Sequence, residues 1–230
     1  MMRAGLLDVD GVLLASEPVY YAAVRASFEP YGIRIGREEY VEKWITGKAG
    51  SRGVIEHHGL AARTGKPADE ILKDVRQRRD EIHERLAREH MQLMPGAIEL
   101  LDRLKAYPLG FVTSSWRREV ERGLGKFGLL SRFAVQVTGE EYENDKPHPE
   151  PFQMGLRKLR HSVPGLGNLE PGQVLAVEDN PSGVASGKAA GCMVIAYPNG
   201  FTDGMEFPGA DAFVSNLYGI SEGLLEMIFR

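Results

Sequence analysis

Apolar positions along this chain fall into two kinds of run. Short, largely apolar ones occupy residues 4–9, 109–113, 134–137, 174–177 and 193–196, the pattern of strands buried on both faces. Between them the apolar positions recur with helical spacing. Residues 94–107 place Ile98, Leu101 and Leu104 on one stripe, and the segments starting at Arg117 and Glu150 are similar in length and pattern. Strands alternating with helices in this way predict an α/β fold built on a parallel sheet with crossover helices.

One stretch breaks the alternation. From about residue 16 to about residue 89 there is no strand pattern, only helical ones such as ADEILKDVRQRRDEIHERLAREH, with Ile71, Val75, Ile82 and Leu86 as its apolar stripe. The expectation is an all-helical insertion, residues 16–91, set into a core made of residues 1–15 and 92–230. The two short connections, LLAS and QLMPG, are expected to hinge, so that closure of the insertion excludes water during reaction. Nothing in the chain repeats, and no segment is low in complexity.

Composition narrows the partners. At 230 residues the chain can bury a proper core without disulfides. Its 28 basic and 32 acidic side chains, a formal net charge of −4, give no polybasic surface for nucleic acid or for a membrane. The single cysteine, Cys192, has no partner within the chain and fits a reducing compartment, where it reads as a small buried apolar side chain. Asp8 and Asp10 interrupt what would otherwise be a signal-peptide core, and no segment approaches membrane-spanning length. A cytoplasmic monomer acting on a small molecule is expected.

Four polar clusters follow predicted strands: Asp8 and Asp10 in LLDVDG, Thr113-Ser114-Ser115 after GFV, Lys146 in DKPHPEP, and Glu178-Asp179 after VLAV. In an open parallel sheet, ligands bind beyond the carboxyl ends of the strands. Each cluster also has a plain structural explanation. Asp10-Gly11 suits a turn, Ser115 a helix N-cap, Lys146 an exposed loop lysine, and Asn180-Pro181 the start of a helix. Their order along the chain, one cluster per strand, is what separates the two readings.

In that order, DVDGVL, VTSS, KPHPEPF and VEDNPSGVASGKAAG resemble the four motifs of the haloacid dehalogenase superfamily of phosphotransferases. The resemblance implies a Rossmann-like core with a small helical cap, as in the branch of β-phosphoglucomutase and many sugar-phosphate phosphatases. It implies Mg²⁺ as cofactor, held by Asp8, Asp179 and the main-chain carbonyl of Asp10, with Glu178 acting through a metal-bound water. Asp8 becomes the nucleophile that forms an aspartyl-phosphate, and Asp10 the acid and base. The Thr113 hydroxyl and the Ser114 amide hold phosphate oxygens, and Lys146 balances charge between nucleophile and phosphate. The chemistry suits these groups: a phosphate ester is anionic and repels a carboxylate until cations and donors neutralise it. The glycines Gly183, Gly187 and Gly191 suit a helix lying close against the sheet.

Phosphatase and mutase are then the competing activities, with a catalytically silent phospho-ligand-binding protein as a third reading. Mutases of this branch carry Asp, Thr and a little later His after the first motif, where this chain has Ala15, Ser16 and Tyr20. That difference favours a phosphatase of a small phosphorylated metabolite. WITGKAGSRGV resembles the substrate-specificity loop, making Lys48 and Arg52 candidates for a second anionic group of the substrate; a solvated loop explains them equally well. His57 and His58 read as surface or cap-core residues, since adjacent histidines lack the usual metal-ligand spacing.

Overall fold

The computed structural model describes residues 1–47 and 49–230. They divide into two compact units, Met1–Ala15 with Gln92–Arg230, and Ser16–Met91. The first unit holds a parallel sheet of β1 (Ala4–Leu7), β2 (Leu109–Val112), β3 (Val135–Val137), β4 (Val174–Glu178), β5 (Met193–Ala196) and β6 (Ala212–Phe213), in the order β3-β2-β1-β4-β5-β6. Its five longer strands lie where the apolar runs predict them. The two-residue β6 is too short to leave a run of its own.

The second unit is helical: α1 (Ser16–Phe28), α2 (Arg37–Tyr40), α3 (Gly50–His57), α4 (Leu60–Thr64) and the long α5 (Ala68–His90). Helices α1 and α5 pack along each other. Ile71 and Val75 of the α5 stripe are buried, whereas Ile82 and Leu86 are half-buried. Tyr40 is buried in this unit, donates to Glu17 Oε2 at 2.6 Å and stacks on Trp44 at 5.4 Å between ring centres.

The sheet is flanked by α6 (Ala97–Arg103), α7 (Arg117–Lys126), α8 (Glu150–Ser162), α9 (Pro181–Ala189) and α10 (Glu222–Ile228). α8 covers β2 and β3 and α9 covers β4 and β5, and the strand residues facing the other way, Leu7, Phe111, Val177 and Ile195, are buried as well, so the strands need apolar side chains where a solvent-facing sheet would alternate. Leu6, Val112, Val137, Ala176 and Val194 pack with Phe152, Leu156 and Val184 of these helices. Burying such side chains is worth roughly 1.5–3 kcal/mol each. On α6 the stripe is shifted from the one expected: Leu100, Leu101 and Leu104 are buried, but Ile98 is exposed. Cys192 is fully buried, and its thiol is pushed up to about 12 by that burial. Among the described residues no helix is long and apolar enough to cross a membrane.

The chain leaves and re-enters the sheet unit side by side. Leu14 bridges Leu93 in antiparallel fashion, Ala15 N–H donates to the Gln92 carbonyl at 2.9 Å, and Met94 N–H donates to the Leu13 carbonyl at 2.9 Å.

Candidate active site

The strand order reverses direction between β1 and β4, and at such a switch point the loops after the two strands part and leave a crevice at their carboxyl ends. Asp8 follows β1 and Asp179 follows β4, so both acids project from this crevice by topology alone. Gly11 makes the approach possible. Its φ is +79°, and a Cβ there would fall 2.0 Å from Asp179 Oδ2.

At the centre is Lys146, only 5 % exposed. Its Nζ donates to Asp8 Oδ1 at 2.7 Å, to Glu178 Oε1 at 2.7 Å and to the Val112 carbonyl at 3.0 Å. One ammonium thus draws on β1, β2 and β4 together. The plain explanation, an exposed loop lysine, does not hold here. Burial by itself would discharge Lys146, but Asp8 and Glu178 outweigh it and raise its proton affinity. Burial pushes Asp8 up to about 6 against the pull of Lys146, and pushes Glu178 up to about 8 in the same way.

Asp8, Glu178 and Asp179 each present a carboxylate oxygen within 4.8 Å of the other two. Glu178 Oε2, fully buried, has no hydrogen-bond partner among the described residues. Acidic side chains therefore outnumber the buried ammonium, and one acceptor is left over. An oxygen-only donor set with excess negative charge is what a hard divalent cation requires.

Asp10 is tied to the second motif. Its Oδ2 accepts from Thr113 Oγ1 at 3.0 Å and from Ser115 Oγ at 2.7 Å. One plain structural explanation fails here. Ser115 does not cap the following helix: Trp116 stands at the N-cap, and the Glu119 carboxylate accepts from the Trp116 N–H at 2.9 Å. The Thr113 hydroxyl, which also accepts from the Ser115 N–H at 2.9 Å, is directed to Asp10. Ser114 Oγ donates to Asp145 Oδ1 at 2.6 Å, and the same oxygen accepts from the Lys146 N–H at 2.7 Å. These bonds fasten the second and third motifs to each other.

The fourth motif combines its structural and chemical roles. Asn180 caps α9, accepting from the Gly183 N–H at 3.0 Å, and Pro181 is in the first turn. A Cβ on Gly183 would sit 1.9 Å from Glu178 Oε2, so the missing side chain is the space that carboxylate occupies. Sequence reasoning missed Asn199. From the loop after β5, its Nδ2 donates to Asp179 Oδ2 at 2.7 Å and to the Gly11 carbonyl at 3.2 Å. Its Oδ1 accepts from the Phe201 N–H at 3.1 Å, and its N–H donates to the buried Thr202 hydroxyl at 3.0 Å. The string PNG signals only a turn, which is why the residue gave no warning.

Of the two cap candidates, Lys48 lies outside the described residues. Arg52 is exposed and donates to Asp69 Oδ1 at 2.7 Å, a surface pair within the helical unit.

A family model described as haloacid dehalogenase-like hydrolase matches residues 6–197. The phosphorylated carbohydrates phosphatase of Thermotoga maritima is 32% identical over 195 residues, covering 83% of this chain and 82% of that protein. Protein CbbY of Rhodobacter capsulatus is 30% identical over 232 residues, 94% of each chain. The crystal structure of CbbY from Rhodobacter sphaeroides in complex with phosphate superposes with a TM-score of 0.76 at 28% identity, covering 94% of this chain and 95% of that one.

Proposed function

The chain belongs to the haloacid dehalogenase-like hydrolases, and on that premise we propose that it is a Mg²⁺-dependent phosphatase of a small phosphorylated carbohydrate, working through an aspartyl-phosphate on Asp8. The observation that carries this reading is the buried Lys146 shared by Asp8 and Glu178, beside Asp179. The Thermotoga maritima relative named for phosphorylated carbohydrates supports the substrate class.

The residues that would hold Mg²⁺ are Asp8, Glu178, Asp179 and the main-chain carbonyl of Asp10. When bound, the ion offsets the negative charge of the phosphate and of the attacking carboxylate. Lys146 fixes one oxygen of Asp8 and keeps that carboxylate from recoiling from an anionic ester. In the first step an Asp8 oxygen bonds to phosphorus while the bond from phosphorus to the ester oxygen breaks. Asp10, entering as the acid, gives its proton to the departing alkoxide. In the second step Asp10, now a carboxylate, takes a proton from water. That water oxygen bonds to phosphorus, the bond to Asp8 breaks, and inorganic phosphate leaves. Thr113 and Ser115 aim Asp10 through both steps by donating to one of its oxygens. The Ser114 main-chain N–H and Lys146 are assigned to the phosphate oxygens.

Tyr20, at the place where mutases of this branch carry histidine, packs against His83 at 5.5 Å and lies under the Arg79 guanidinium at 5.4 Å. With an ordinary pKa of about 10, a phenol holds its proton near neutral pH and exchanges it less readily than an imidazole, so net hydrolysis is the favoured outcome. The test is a panel of phosphorylated metabolites, with phosphate release measured with and without Mg²⁺. Release that requires Mg²⁺ and is abolished in Asp8→Asn is expected. Full turnover in Asp8→Asn overturns the nucleophile, and isomerisation of a sugar phosphate without phosphate release overturns the hydrolase reading in favour of a mutase.

A further inference from the structure

The helical unit carries a second cluster of metal-ligating side chains, made of residues to which the reaction above gives no role. Glu39 lies on α2, His57 is the last residue of α3, and His58 is its C-cap. His58 Nε2 is 2.9 Å from Glu39 Oε1. The two imidazoles meet edge to face with ring centres 4.9 Å apart. One donor atom from each of the three residues lies within 4.8 Å of the other two.

We propose that Glu39, His57 and His58 form a transition-metal site of the Zn²⁺ class. Two imidazole nitrogens and one carboxylate are the borderline donor set that zinc, copper and nickel select, whereas Mg²⁺ asks for oxygen. Around a tetrahedral ion with bonds near 2.0–2.1 Å, donors stand about 3.3 Å apart. The His58–Glu39 pair is already closer than that, and a His57 ring nitrogen lies within 4.8 Å of both partners' donor atoms. Glu39 and His58 are half-buried and His57 is exposed, so a fourth position opens to water. Glu42 is also close: it accepts from Lys43 Nζ at 2.6 Å, and that bond, with a smaller contribution from His57, favours its charged form. A bound ion would clamp α2 to the end of α3.

The experiment uses the metal-stripped 230-residue protein in excess Mg²⁺, titrated with Zn²⁺ by calorimetry and with Cu²⁺ by electron paramagnetic resonance. One equivalent of Zn²⁺ is expected, with nitrogen hyperfine coupling on Cu²⁺ from two imidazoles, and the thermal midpoint should rise on adding Zn²⁺. His57→Gln, His58→Gln and Glu39→Gln should each weaken Zn²⁺ binding by at least about tenfold. Circular dichroism and Mg²⁺-dependent turnover should stay at the wild-type level, which separates lost ligation from lost folding. A double variant, Asp8→Asn with Asp179→Asn, should leave this binding intact, so the outcome is independent of the proposed catalytic metal. Zn²⁺ affinity unchanged in the three variants, or Cu²⁺ spectra without nitrogen coupling, would reduce the cluster to an ordinary Glu39–His58 ion pair and end the proposal.

Discussion

Lys146 Nζ lies 2.7 Å from Asp8 Oδ1 across 138 residues of sequence, and both groups are almost completely shielded from solvent. Removing one member of such a buried pair leaves an uncompensated charge, typically at a cost of about 3–5 kcal/mol. Lys146→Met should therefore unfold at lower urea concentration when metal-free, by a loss of that order. Its phosphate release should fall by at least about 100-fold. A variant that keeps both stability and turnover would remove Lys146 from the centre of the site.

The raised acids give the metal-free protein a particular pH dependence. Asp8 moves from its ordinary 3.8 up to about 6, and Glu178 from 4.5 up to about 8, through burial. The folded state thus holds protons that the unfolded chain has already released. Their contribution to stability is complete below the ordinary values and is lost as pH rises, for Asp8 between 3.8 and about 6, for Glu178 between 4.5 and about 8. Thermal midpoints measured in chelator should fall across this interval. Divalent metal should restore them and release protons on binding, and a midpoint that climbs with pH over the same range contradicts the assignment.

Gly183→Ala tests the space that Glu178 occupies. The added methyl would overlap Oε2 at 1.9 Å, so the carboxylate must move while α9, which tolerates alanine better than glycine, keeps its helix. Metal affinity, followed by Mn²⁺ titration, should drop at least about tenfold, as for a lost supporting contact in other metal sites. Unaltered affinity would show that Glu178 contributes nothing to the ion.

Asn199→Ala should produce a milder version of the same defect. Without its Nδ2, Asp179 loses a 2.7 Å hydrogen bond that fixes its orientation. Metal affinity should weaken about 10- to 100-fold, with kcat at saturating metal nearly preserved. An equal loss of kcat at every metal concentration would instead place Asn199 in the chemistry itself.

Asp10→Asn separates the two half-reactions. An aryl phosphate, whose leaving group needs no proton, should still phosphorylate Asp8, while hydrolysis of the aspartyl-phosphate slows by about 10²–10⁴-fold. Trapped phosphoenzyme detected by mass spectrometry is the expected signature. Rapid turnover with no accumulation would assign the base elsewhere.

How much of this could be read in the sequence depends on how local the cause is. Continuous apolar runs betray strands such as Val174–Glu178 because both their faces are buried, and the acids at their ends stand out against that background. Ser115 misleads because a hydroxyl before a helix is ordinarily a cap, and only the fold brings Asp10, 105 positions away, within 2.7 Å of it. Ile98 fits the helical spacing but sits one step off the face that the packing buries. Asn199 belongs to no periodic element, and its partner is 20 positions distant in the chain. Glu39 is likewise 19 positions from His58, so only the folded helical unit puts a carboxylate beside the imidazole.

The pairing of Leu14 with Leu93, and of Ala15 with Gln92, makes the helical segment the loop of a long hairpin. Closing a loop depends only weakly on its length, so the rungs that close this one tolerate exchange of what they enclose. Swapping the segment for that of a relative, with residues 13–15 and 92–94 kept, should leave the carboxylates and the lysine of the sheet unit in place. Such a seam lets one stretch of the chain be rewritten while the other keeps its geometry.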